Sequence, residues 1–137
     1  MVTIRPLTTT DISAALRVWQ ETVGRTQDVD TPDQLARFLE RNPGVCQVAE
    51  YQGHVIGLGV AGHDGRRGTL HYVGVALAYR RNGIGRKLVE CSIEALRQQG
   101  QTRLHVQFKE SNATALRFWK ALGVRERNDL VVISLQL

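Results

Sequence analysis

The run Arg80-Arg81-Asn82-Gly83-Ile84-Gly85-Arg86-Lys87 has the residue types of an anion site. Gly83 and Gly85 let the main chain approach a ligand closely. Successive N–H groups can then form a concave nest at the start of a helix. Arg80, Arg81, Arg86 and Lys87 surround the nest with full positive charges. The flanks fit this role. Leu70 to Ala76 reads as an apolar strand entering the turn, and Ile84, Leu88, Cys91, Ala95 and Leu96 mark one face of a helix leaving it. The spacing is not that of a Walker A loop, because no second glycine is followed by Lys-Ser/Thr. The third glycine of a dinucleotide fingerprint is also missing, since Leu88 stands there. A phosphate-bearing ligand is the expectation.

A second stretch, Gly57-Leu58-Gly59-Val60-Ala61-Gly62, matches G-x-G-x-x-G by letter. A dinucleotide fingerprint must leave a strand and open a helix. Here the polar His63-Asp64-Gly65-Arg66-Arg67-Gly68 follows, without helical periodicity. These glycines read as strand residues placed for a bulge or close packing.

The chain has 137 residues, which predicts one domain spanning 1–137. Its net charge of +5 is uneven: residues 65–89 hold six basic side chains and no acid, so the whole excess lies there. The two cysteines, Cys46 and Cys91, are too few for a disulfide framework and form no CxxC pair, as expected for a reducing compartment. No apolar stretch reaches the roughly 20 residues of a membrane span, and residues 1–6 lack the apolar core of a signal peptide. A cytoplasmic location with no membrane partner is expected.

The remaining elements position the anion loop. Val2 to Arg5 is β-like. Thr8 to Asp11 supplies caps for a helix bearing Ile12, Ala15, Leu16, Trp19 and Val23. Thr31-Pro32-Asp33-Gln34 is a capping box with proline at N1, and Asn42-Pro43-Gly44 ends that second helix. Strands at 45–51 and 54–61 flank a Gln52-Gly53 turn. A further strand is predicted at 69–76, a helix at 84–99 and a strand at 103–108. Ser111 or Asn112 caps a last helix, and 124–127 with 130–137 forms a closing hairpin. The fold class is therefore α/β (mixed α+β). One mixed, largely antiparallel sheet of six to seven strands carries about four helices on both faces.

Arg80-x-x-Gly83-x-Gly85 after an apolar strand resembles the acyl-CoA pyrophosphate loop of the GNAT superfamily of N-acetyltransferases. Asn112-x-x-Ala115-x-x-x-Trp119-x-x-x-Gly123-Val124 is similar to that superfamily's Asn-x-x-Ala-x-x-x-Tyr-x-x-x-Gly-Phe segment. The helix and strand between the two segments also match, and the resemblance covers nearly the whole chain. It implies acetyl-CoA as co-substrate and a sheet splayed between the strands at 69–76 and 103–108. It places the pantetheine arm on main chain around Val73, Gly74 and Val75. It places the pyrophosphate on the loop formed by Arg80, Arg81, Asn82, Gly83, Ile84, Gly85 and Arg86, with Asn112 contacting the cofactor arm. An N–H near Val75 would steady the oxyanion. No metal is implied, and the four histidines show no ligand spacing.

Acetyl transfer needs a neutral amine and a proton for the leaving thiolate. Strand alternation puts His71 on the face of Val73, which makes it the candidate base, with a water chain to Glu50 as the alternative. Many relatives carry a tyrosine acid where this chain has Trp119, and indole is no practical acid. Trp119 would instead pack against the cofactor arm. Alternation also points Tyr72 away from His71, which argues against a role for it. Glu21, Asp28 and Asp30 lie where this fold recognises its acceptor and would suit a cationic amine. The expected activity is transfer of acetyl from acetyl-CoA to a primary amine, on a small molecule or a peptide, by direct attack in a ternary complex. The alternative is a CoA-binding sensor or interaction module with little activity. A nucleic-acid partner is not expected, because the basic residues gather at one turn without interleaved aromatics. The apolar Leu130-Val131-Val132-Ile133 would pair across a homodimer.

Overall fold

The computed structural model describes residues 1–23, 29–108 and 111–137. These fall into two compact units, Met1–Gln107 and Phe108–Leu137.

The first unit is built on five strands in the order β1-β2-β3-β4-β5. They are β1 (Thr3–Pro6), β2 (Gln47–Tyr51), β3 (His54–His63), β4 (Gly68–Val75) and β5 (Leu104–Val106). The first three pairings are antiparallel and β4–β5 is parallel. The β2–β3 turn uses Gln52 at φ 49° and Gly53 at φ 79°, the doubly left-handed geometry that suits the twist of a two-residue hairpin.

Three helices cover the sheet: α1 (Ile12–Val23), α2 (Pro32–Arg41) and α3 (Ile84–Gln98). The capping box forms as predicted: the Gln34 N–H donates to Thr31 Oγ1 at 3.2 Å, and the Thr31 N–H donates to Gln34 Oε1 at 2.8 Å. A 3₁₀ turn over Thr9–Asp11 precedes α1. There the buried Asp11 carboxylate accepts two bonds from Arg5, at 2.8 and 2.9 Å, which hold its pKa down at about 2.

Helices α1 and α2 share one face, where Ala15, Val18, Trp19, Leu35 and Leu39 enclose a core with Val48, Leu58 and Val60. Helix α3 packs on the other face through Ile84 and Leu88 against Ala49 and Ile56. The glycines of β3 explain the close fit. A Cβ on Gly59 would lie 3.2 Å from Ser92 of α3, and one on Gly62 would lie 2.6 Å from Phe38 of α2. The Gly57–Gly62 stretch is thus strand and packing surface.

In the second unit α4 (Ala113–Ala121) is capped by Asn112, whose Oδ1 accepts the Ala115 N–H at 3.0 Å. The closing hairpin is not observed. Residues 124–137 form no strand, so the sheet has five strands and not six to seven. Only the turn at Asn128–Asp129 appears, with Arg127 forked onto Asp129 at 3.0 and 2.9 Å. Val124-Arg125-Glu126-Arg127 is short and mostly charged, a poor partner for pairing. Leu130-Val131-Val132-Ile133 is apolar on both faces, so nothing fixes its register. Among the described residues no helix is long and apolar enough to cross a membrane.

Candidate functional site

The open edge of β4 meets the start of α3. The β4–β5 ladder runs from Gly68↔Leu104 to Leu70↔Val106 and stops, so among the described residues no strand pairs with Val73 to Val75 on that side. This is the splay expected between the two strands. On the other side, the Ala76 N–H donates to Ile56 O at 2.8 Å, and the register continues as Val75↔Gly57, Gly74↔Leu58 and Val73↔Gly59. Antiparallel pairs alternate between bonded and non-bonded. The main-chain groups of Val73 and Val75 therefore point away from β3, into the open edge. The Val75 carbonyl confirms this direction: it accepts from Arg80 Nε at 3.1 Å.

The chain leaves β4 through a 3₁₀ turn, Leu77–Tyr79, and reverses through two left-handed residues, Arg81 at φ 67° and Gly83 at φ 75°. Asn82 braces the turn by donating from Nδ2 to Tyr79 O at 3.1 Å and Arg80 O at 3.3 Å. The first bond of α3 runs from the Lys87 N–H to Gly83 O at 3.2 Å. The N–H groups of Ile84, Gly85 and Arg86 precede it, and no side chain caps this end. A helix start with free amides carries partial positive charge. Arg80, Arg81, Arg86 and Lys87 are exposed around it. Ile84 contributes only its amide, since its side chain is buried in the core. A Cβ on Gly85 would stand 3.8 Å from Val75 Cγ2, so this glycine keeps open the space between helix start and strand edge.

Arg66 and Arg67 lie in the β3–β4 turn, at the opposite end of β4. The eight residues of β4 separate the two clusters by roughly 26 Å, so the basic segment is two patches and only one borders the anion loop.

The opposite face of β4 departs from the simple alternation. Leu70 pairs with Ala61 and Tyr72 with Val60, which leaves His71 as the extra residue of a bulge. His71 meets Phe38 of α2 edge-on at 5.4 Å, and Tyr72 stacks on Trp19 of α1 at 5.0 Å and 8°. Val73 packs on the α3 side. His71 and Val73 therefore lie on opposite faces, and His71 and Tyr72 share one; both expectations from alternation are overturned. The bulge is the reason, because one unpaired residue resets the period of two.

The His71 side chain is exposed at the surface of β4, yet partial desolvation by its neighbours sets its imidazole below its ordinary value, and the nearby Asp30 carboxylate partly restores it. Burial pushes Asp30 up, with His71 opposing. Glu21 is exposed near the end of α1, and Asp28 lies outside the described residues. Glu50 accepts from Arg5 Nε at 2.7 Å, so its carboxylate serves the β1–β2 ion pair. Asn112 and Trp119 belong to the second unit. There Asn112 caps α4, and Trp119 sits edge-on to Phe118 at 5.4 Å. Among the described residues no group of three His, Cys, Asp or Glu is placed to hold a metal.

The family model described as Acetyltransferase (GNAT) family matches residues 13–124. The chain belongs to the GNAT family. As a GNAT acetyltransferase it is 27% identical over 112 residues to an acetyltransferase of Pectobacterium atrosepticum, covering 82% of this chain and 79% of that one. The crystal structure of the ribosomal-protein-S18-alanine N-acetyltransferase from Escherichia coli superposes with a TM-score of 0.80 at 27% identity, over 93% of this chain and 80% of that one. The NatC complex bound to Gag peptide and CoA shares the fold, with a TM-score of 0.77 at 19% identity over 92% and 86% of the two chains. Five strands with helices on both faces are thus the sheet of a GNAT enzyme that transfers acetyl groups.

Tyr72 is the residue that alternation misassigns, and Trp19 and Thr22 of α1 contact it. One signal for it was present: Gly74 stands two residues after an aromatic in a strand, the pattern of a side chain lying over a glycine.

Proposed function

We propose that this GNAT enzyme transfers acetyl from acetyl-CoA to a primary amine by direct attack in a ternary complex. One observation carries the reading: the free amides of Ile84, Gly85 and Arg86 adjoin the unpaired main chain of Val73 and Val75, and Arg80 joins the two. Charge and amides suit a pyrophosphate, and an open strand edge suits an amide-bearing arm laid beside it. The named CoA ligand of the NatC complex and the match to the family over 13–124 support this assignment, and that match also supports reading 1–137 as one domain.

In the proposed reaction the Val75 N–H faces the thioester oxygen and stabilises negative charge there. The amine enters over Gly74, from the α1 face, because Val73 and Val75 fill the α3 face. His71, on the α1 face, accepts the proton that the ammonium must lose, and its lowered pKa keeps it neutral and able to do so near pH 7. The N–C bond forms, the C–S bond breaks with its electron pair on sulfur, the attacking nitrogen releases its second proton to solvent, and solvent protonates the thiolate. Asp30 and Glu21 favour a cationic acceptor, in keeping with amine-bearing substrates.

Titration with CoA by calorimetry, followed by thiol release with acetyl-CoA and a panel of primary amines, tests the proposal. Binding plus amine-dependent release supports it. CoA binding with no release by any amine would favour a sensor or interaction module.

A further inference from the structure

The Tyr72 hydroxyl has one partner among the described residues, Thr22 Oγ1 of α1. Thr22 carries a single proton, and its Oγ1 also stands 2.9 Å from Val18 O and 3.1 Å from Trp19 O. Those carbonyls can only accept, so the Thr22 proton goes to the helix backbone, as is common for helical threonine. The Tyr72 O–H then donates to Thr22, and the remaining lone pair of the tyrosine oxygen is an acceptor without a donor among the described residues.

Its position gives that lone pair a purpose. The ring is held flat against Trp19 and lies along β4 above Gly74. A Cβ on Gly74 would collide with the Tyr72 hydroxyl and come within 2.8 Å of Thr22 Oγ1. Gly74 separates Val73 from Val75, the residues whose main chain lines the open edge. The hydroxyl therefore sits on the acceptor face, directly above the segment that receives the thioester.

We infer that Tyr72 is a substrate-positioning residue whose oxygen accepts an N–H of the attacking primary amine. With one N–H held there, the nitrogen lone pair turns toward the thioester carbon. The tyrosine keeps its proton, donated to Thr22 Oγ1, so Tyr72 is not the acid for the thiolate. Burial, the larger influence, raises the phenol pKa, so the group remains neutral through the working range. The inference rests on the acetyl-transfer reading above.

The test is steady-state kinetics with acetyl-CoA and an alanine-led peptide, spermidine and benzylamine as amine probes, beside CoA calorimetry on each variant. Tyr72→Phe keeps the stack on Trp19 and loses only the oxygen. Its KM for the amine should rise by about tenfold, the net worth of one hydrogen bond, while kcat and CoA affinity hold. Thr22→Val should shift the amine KM in the same direction, because Tyr72 loses its proton acceptor, and Thr22→Ser should restore it. An unchanged amine KM in Tyr72→Phe overturns the inference. So does a loss confined to kcat, which would mark a proton donor. If the parent protein binds no CoA, or acetylates none of the probes, the acetyl-transfer reading fails and takes this inference with it. A parent that turns over with an indifferent Tyr72→Phe sinks this inference alone.

Discussion

Arg80 donates from Nε to the main-chain carbonyl of Val75 at 3.1 Å, five residues back along the chain. This bond ties the anion loop to the open strand edge. It also satisfies the Val75 carbonyl at the C-terminal end of β4, on the edge beyond the β5 ladder. Arg80→Ala should weaken CoA binding by about tenfold, since a charge-assisted bond contributes roughly 1.5 kcal/mol and a nearby charge is lost with it. Calorimetric titration reads the change. Arg80→Lys should recover part of it, because the charge returns without the planar fork.

Gly83 and Gly85 matter for different reasons. Gly83 sits at φ +75°, so Gly83→Val should cost roughly 1–2 kcal/mol of stability through backbone strain. Gly85 is helical and meets only Val75 Cγ2, at 3.8 Å. Gly85→Phe should therefore leave the melting temperature within a few degrees and abolish CoA binding by filling the gap. Intact CoA affinity in Gly85→Phe would remove the amide nest as its site.

His71 and Asp30 set a pH dependence with a definite sign. The folded His71 pKa lies below its ordinary 6.5 because neighbouring side chains partly desolvate the ring, exposed though it is, and Asp30 holds it partly up. Activity carried by neutral His71 should fall as pH drops below that lowered value. Asp30→Asn removes the opposing charge, so the acidic limb of the kcat/KM profile should move to lower pH. His71→Ala should remove that limb. The same group affects stability: its contribution is complete above 6.5 and is lost as pH falls through the folded value. Melting temperatures from pH 7 to pH 5 would show a decline that His71→Ala lacks.

Gly74 should tolerate no side chain. Its Cβ would displace the Tyr72 hydroxyl and press on Thr22 Oγ1 at 2.8 Å. Gly74→Ala should cost about 1–3 kcal/mol, the usual penalty for overpacking. Pairing it with Tyr72→Phe should return part of that loss. Urea denaturation of the single and double variants measures the difference.

The parts of this protein that follow local rules were legible in the chain. The capping box at Thr31 and Gln34, the Gln52-Gly53 hairpin and the strand–turn–helix around Gly83 depend on neighbours within a few residues. The anion loop was legible for that reason. The face of His71 was not, because a bulge is a property of two strands: Ala61 and Val60 on β3 decide which β4 residue goes unpaired. The closing hairpin failed for a related reason, since the turn signal at Asn128-Asp129 marks a reversal without guaranteeing a ladder.

Spacing by itself located the anion loop and the strand that feeds it, and two motifs in register carried the resemblance to the family. A few residues at fixed separations suffice when the ligand binds main-chain amides at one helix start. The tertiary structure alone decided what lies across from that loop. It split the basic segment between the two ends of β4, put Tyr72 beside His71 and set the Tyr72 oxygen over Gly74. Those relations rest on strand register and on α1 and α2 packing, contacts between residues up to 50 positions apart, and no local pattern encodes them.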